Sequence, residues 1–176
     1  MERFWEWLTT KEPQGWDSVK LVVVGAIVAA TYSVCAYILF RTLGMTFEER
    51  SDLQLPTPLA LLFLFLFCAA YIEETLFRLP LIFFIWWFVK IRHIRWILLP
   101  ALLLSMVFGA VHGGMKYILI QGVAGIIFSC VFLKAGALKG KIIEPLLASS
   151  LTHFLTNSII VALAFLGQKV FSILLP

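Results

Sequence analysis

The sequence predicts an all-α fold: a polytopic membrane bundle of about six helices, preceded by an interfacial N-terminal segment. Three observations carry this prediction. Hydrophobic residues make up 61% of the 176-residue chain and charged residues only 14%, with a mean hydropathy of +0.98, which excludes an ordinary soluble domain of this size. The apolar residues come in long runs, and about 20 helical residues suffice to cross a bilayer core of roughly 30 Å. Most Lys and Arg residues gather in the short segments between those runs, where they set orientation, and the net charge of +4 gives no nucleic-acid patch. Nucleic acid is therefore not an expected partner, whereas the lipid bilayer is.

Residues 1–20 mix both charge signs with Phe4, Trp5, Trp7 and Trp16, and lack the apolar core and cleavage site of a signal peptide. They read as an interfacial segment with tryptophans in the headgroup belt. Residues 21–176 then form a single transmembrane helical domain. Its first span covers 21–40 and is closed by Arg41. Residues 46–58 hold Glu48, Glu49, Arg50, Asp52, Pro56 and Pro58, a loop that starts the second helix near Pro58. Residues 79–89 are apolar and aromatic but cover only about 17 Å as a helix, so they read as a short third span or a re-entrant piece. Lys90, Arg92 and Arg95 close it, and 96–111 form the fourth helix, ending in His112-Gly113-Gly114. The fifth helix, 117–133, carries Gln121, Gly122 and Gly125. These glycines, with Gly109 and Gly113, have the spacing that lets membrane helices approach closely. After the basic loop 134–141, the last helix starts around Glu144-Pro145 and runs to about Leu166 through His153 and Asn157. Cys35, Cys68 and Cys130 all lie inside apolar runs, where cysteine packs as a small hydrophobe, and they suggest neither a disulfide framework nor a thiolate metal site.

Charge inside the second helix is the feature that demands a reason. Residues 53–72 contain no charged side chain, and then Glu73, Glu74 and Arg78 arrive together. Each such residue costs roughly 2.5 to 3.5 kcal/mol at a helix centre on insertion scales, so a chain that keeps three has a use for them. Glu74 and Arg78 are four apart and pair on one face. Glu73 points about 100° away and has no partner nearby in sequence, which leaves it available as a general base or acid. The other polar side chains at membrane depth include His112, Gln121, His153 and Asn157. Phe108 with His112, and His153 with Asn157, share the four-residue spacing that stacks side chains on one face.

The chain thus holds a Glu-Glu-x-x-x-Arg run, a Phe-x-x-x-His run and a His-x-x-x-Asn run, in that order on three apolar helices. Together they resemble the motif set of the CPBP intramembrane proteases, the family of type II CAAX prenyl endopeptidases and bacteriocin-processing proteins also called the abortive-infection family. The motif-bearing core spans about 59–160, and Gln121, Gly125 and Pro145 are similar to the family pattern as well. The resemblance implies that Glu73 and His112 activate a water, that His153 and Asn157 stabilise the oxyanion, and that Glu74 with Arg78 holds the site's architecture. Residue chemistry agrees in outline, since a carboxyl with an imidazole suits water activation and an imidazole with an amide suits oxyanion donation.

The expected activity is that of an intramembrane endopeptidase cutting a peptide or a membrane-associated protein. The alternative is a catalytically silent scaffold or immunity-type binding protein with the same fold, and partner membrane subunits are not legible. Glu73, His112 and His153 also have the types of a His₂Glu zinc site. The four-apart pair here is His153 with Asn157, however, and not the His-Glu-x-x-His of zincins, so no metal is the favoured expectation and zinc the alternative cofactor. The chain is shorter than the eukaryotic CAAX enzymes, which points to a prokaryotic cytoplasmic membrane. Helix lengths set one further condition. Counted from Pro58, Trp96 and Pro145, Glu73, His112 and Asn157 lie about 22, 24 and 18 Å into their helices and His153 about 12 Å, so they meet only if these helices run parallel and 79–89 crosses the membrane. The loops 90–95 and 134–141 share one side, each with three Lys or Arg residues, and short basic loops face the cytoplasm. The N-terminus is then expected on the opposite side.

Overall fold

The computed structural model describes residues 2–9, 12–45, 58–90 and 94–174, and no strand occurs among them. Six helices follow one another: α1 (Glu2–Thr9), α2 (Trp16–Thr42), α3 (Leu59–Lys90), α4 (Leu98–Val111), α5 (Met115–Lys134) and α6 (Ile143–Leu174). A 3₁₀ turn, Ile94–Ile97, leads into α4. Trp16–Thr42, Leu59–Phe88, Met115–Lys134 and Ile143–Leu166 are each long and apolar enough to cross a membrane, and α4 is shorter. The all-α membrane bundle is what the composition requires.

The division into helices differs from the expectation most between residues 58 and 90, while α2 also starts earlier, at Trp16, and α6 continues to Leu174. The second and third expected helices are one, the 32-residue α3, which passes through Pro80. Proline removes one backbone donor and crowds the preceding turn, but a packed membrane helix tolerates it. Nor does Arg78 mark a helix end, because its charge is fully buried against Glu74. The N-terminal segment supplies the sixth helix instead, as α1.

That single change reverses the direction argument. Glu73 lies about 25 Å before the Lys90 end of α3, and α4 with its leading turn covers a similar height. Helix α4 therefore has to run back along α3 for His112 to reach Glu73, and the two are in contact. The helices are antiparallel at the site, not parallel. The N-terminus is also placed on the other side from the one expected. Glu12 reaches Lys139 at 3.4 Å and Lys141 at 2.9 Å, and Lys134 Nζ donates to the Trp7 carbonyl at 2.6 Å. The N-terminal segment and the α5–α6 loop thus share one end of the bundle. The Lys141 hydrogen bond holds the Glu12 carboxyl below its usual range, and bonds to Glu144 and Glu12 raise Lys141.

Helix α6 is the centre of the bundle, packed against α2, α3 and α5. Small side chains make the approach of α2 close: Ala26, Ala29, Ala30, Ser33 and Ala36 are its buried face. Near the α1 end, Leu8 closes a cluster with Leu81, Ile85, Ile97, Ala101 and Phe132. Gly109 sets the α4–α5 crossing, since a Cβ there would lie 2.6 Å from Ile118 Cα and 2.7 Å from Gly122 N. At that crossing α5 opens into a π-helical turn, Ile118–Gly122, and the Tyr32 hydroxyl donates to the Leu119 carbonyl at 2.7 Å. Leu61, Leu64, Ile72 and Leu76 of α3 and Val24, Ile27, Val28 and Ile38 of α2 remain exposed, as a lipid-facing surface does.

Candidate active site

The polar core is built from α3 outward. Arg78 Nε donates to Glu74 Oε2 at 2.8 Å and Nη2 donates to Oε1 at 3.2 Å, a two-pronged pair with both side chains wholly buried. Arg78 then spans to α5, donating to Ser129 Oγ at 3.0 Å and to the Gly125 carbonyl at 3.3 Å. Ser105 of α4 lies 3.3 Å from Ser129 Oγ, and Ser149 of α6 donates to Glu74 Oε2. A buried ion pair survives desolvation only when its remaining donors and acceptors are met, and four helices combine to meet them here.

Glu73 points away from this pair, as one residue of helical rotation requires. Its Oε2 lies 3.3 Å from His112 Nε2 and 3.7 Å from His153 Nε2. His112 Nδ1 is 2.7 Å from the Phe108 carbonyl; a carbonyl only accepts, so Nδ1 carries a proton and Nε2 is the atom left to face Glu73. The two histidines differ in access. Side-chain exposure is 33% for Glu73 and 26% for His112 but 3% for His153, so the Glu73–His112 edge is open at the surface of the bundle and His153 is closed off. The His153 ring is stacked on Phe128, with centroids 4.6 Å apart, and meets Phe108 edge-on at 5.6 Å. Its Nδ1 lies 3.3 Å from Glu74 Oε1, close enough to feel the charge but off the line of a well-formed hydrogen bond. Asn157 is half-buried one turn beyond His153 on the same face of α6.

The structure therefore brings together Glu73, Glu74, Arg78, His112 and His153. Among the described residues no hydrogen bond joins Asn157 to them. Ser105, Ser129 and Ser149 were not singled out by sequence, since a serine in an apolar run reads as a packing residue; only the four-residue spacing of Ser149 and His153 was there to be noticed. Among the described residues no group of three His, Cys, Asp or Glu side chains has the geometry to hold a metal ion.

A family model described as type II CAAX prenyl endopeptidase Rce1-like matches residues 55–159. The chain belongs to the Rce1-like family. The matched range covers well over half of the chain and contains every polar residue of the cluster, with Pro145 and the α4–α5 crossing. Membership makes this an integral membrane protein of a protease family, with a peptide or protein as the substrate class. No curated protein and no solved structure matches the chain, so the Rce1-like assignment rests on the family model.

Proposed function

We propose that the chain is an intramembrane endopeptidase in which Glu73 and His112 activate the attacking water. The observation that carries this reading is the 3.3 Å approach of Glu73 Oε2 to His112 Nε2, on the accessible edge of an otherwise closed polar core. A water bound there gives a proton to Glu73 as its oxygen attacks the scissile carbonyl carbon. The resulting oxyanion is met by His153 Nε2–H and the Asn157 amide, which lie on one face of α6 and cost no reorganisation at that moment. The C–N bond then breaks, and Glu73, oriented by His112, returns the proton to the leaving amine. The products are a carboxylic acid and an amine, and the net reaction adds one water.

Glu74 and Arg78 act as the frame: they fill the space behind Glu73 and set the level of His153. Zinc, if bound, would be held by Glu73, His112 and His153, and would supply an activated water in place of the one deprotonated by Glu73. Room for substrate is available beyond Asn157, where Ile160 and Ala164 continue the His153 face into a cavity of about 440 Å³ that Gln121 and Tyr37 also line.

The test is peptide cleavage by the purified protein in detergent, parent beside Glu73→Gln. General-base loss costs on the order of 100-fold or more. Undiminished cleavage by a well-folded Glu73→Gln protein would sink the assignment.

A further inference from the structure

The slot that holds His153 is walled on one side by Phe128 and on another by Glu74, and one hydroxyl lies against the backbone of the first and the carboxylate of the second. One wall is the Phe128 ring, stacked on the imidazole with the planes 22° apart. The other is the Glu74 carboxylate, whose Oε1 lies 3.3 Å from Nδ1. Ser149 is fully buried one turn before His153 on α6, and its hydroxyl bonds Glu74 Oε2 and sits 3.1 Å from the Phe128 carbonyl. Arg78 already gives the carboxylate two hydrogen bonds, so its charge is compensated without the serine. What the serine contributes is direction, because its one proton goes to the carboxylate as a further contact beside the two from Arg78. The imidazole depends on this. Its buried Nδ1 lies 3.3 Å from Glu74 Oε1 without the alignment of a full hydrogen bond; two lone pairs would repel there, so an Nδ1–H faces the carboxylate and the carboxylate's position decides where Nε2 points.

We propose that Ser149 is a positioning residue for His153: through Glu74 it holds the imidazole with Nδ1 against the carboxylate and Nε2 towards Glu73. Its kinetic consequence rests on the peptidase reading, but its structural consequence does not. Three histidines, His93, His112 and His153, are present in the chain, so a ¹⁵N-histidine spectrum of the full protein in micelles is readily assigned by substitution and needs no substrate.

Ser149→Ala should move the His153 Nδ1 and Nε2 signals and leave those of His93 in place. Cleavage should fall about ten- to hundredfold in kcat, the range typical of an outer-shell partner, with KM within twofold. Ser149→Thr, which keeps the hydroxyl, should restore both the signals and kcat. If the alanine variant does not fold, Ser149→Cys, of similar volume but a weak donor, must show the same shifts. Unchanged His153 signals in whichever variant folds would overturn the inference, and so would a threonine variant that restores neither reading. Cleavage unaffected by Glu73→Gln would remove the peptidase reading while leaving the spectrum to decide the role of Ser149.

Discussion

Glu73 Oε2 and His112 Nε2 meet at 3.3 Å across two antiparallel helices, while His112 Nδ1 is committed to the Phe108 carbonyl at 2.7 Å. A carboxylate oxygen and a ring nitrogen that both offered lone pairs would repel, so the contact implies a proton lying between them. That arrangement depends on reach. Glu73→Asp withdraws the carboxylate by one methylene and should lower kcat/KM on the order of 100-fold, the cost of about 1 Å of misplacement, with an unchanged melting temperature. A variant that keeps parental kcat/KM would show that Glu73 does not need this contact.

Arg78 and Glu74 should behave as a unit. Arg78→Ala leaves a carboxylate buried without its partner and should destabilise the fold by roughly 3 to 5 kcal/mol, whereas removing both charges in favour of apolar side chains of similar volume is often near neutral. Thermal melting in detergent should therefore show Glu74→Leu/Arg78→Met closer to the parent than Arg78→Ala. Cleavage should stay lost in both, because the double variant removes a wall of the His153 slot. A double variant less stable than Arg78→Ala would contradict the pairing argument.

Gly109→Ala forces a methyl against backbone atoms of Ile118 and Gly122 that cannot rotate away. Overpacking of this kind costs about 1 to 3 kcal/mol. The shift should also be felt one turn on, at His112, so melting temperature and cleavage should fall together. Gly122→Ala, whose nearest neighbour is the Ser105 carbonyl at 3.1 Å, should be milder in both. Equal effects would mean that the close crossing is not what Gly109 provides.

The clasp between Glu12 and the basic loop should respond to acid with a defined sign. Glu12 is lowered in the folded protein, first by the Lys141 hydrogen bond, so its contribution is present above the ordinary glutamate range and is lost as pH falls through the lowered value. Lys141 is raised, first by Glu144, so its contribution is present below the ordinary lysine range and fades only as pH rises beyond it. Spin labels at Thr9→Cys and Ile142→Cys, with the native cysteines replaced, should report a constant separation from about pH 6 to 9 and a longer one only once the pH has fallen well below the ordinary glutamate range. An unchanged distance in acid would mean that apolar contacts alone seat α1.

Charge at the two ends of the bundle predicts its orientation. Among the described residues Arg3, Lys20, Lys134, Lys139 and Lys141 lie at the α1 end, against Arg41 and Lys116 at the other. Basic ends face the cytoplasm. A thiol at Met115→Cys should then react with an impermeant reagent on intact cells, and one at Ile142→Cys only after permeabilisation. The reverse pattern would place the α1 end outside.

How much of this was legible in the sequence depends on the residue. Glu73, His112 and His153 announced themselves because titratable side chains are rare in apolar runs, and three four-residue spacings told which shared a face. The continuity of α3 was not legible: Arg78 followed by Pro80 carries the signals of a helix end, and besides Glu74 the partners that satisfy the buried guanidinium, Ser129 and the Gly125 carbonyl of α5, are distant in sequence. The sidedness of the N-terminus failed with it, since one merged helix changes the parity of every crossing before it. Ser105, Ser129 and Ser149 were invisible for a different reason, in that a hydroxyl gains meaning only from the acceptor placed opposite it by the fold.

The length of α3 has a consequence for the host membrane. Thirty-two residues extend about 48 Å, against a hydrocarbon core of roughly 30 Å. Fitting the whole helix inside would demand a lean of about 50°, well past the ordinary range of about 20°. Its two ends therefore stand in the headgroup layers, and the fraction that is immersed is set by the lipids themselves. Thicker bilayers draw the helix upright and thinner ones lay it over, so acyl-chain length becomes a dial on how far below the surface a substrate must travel to meet Glu73.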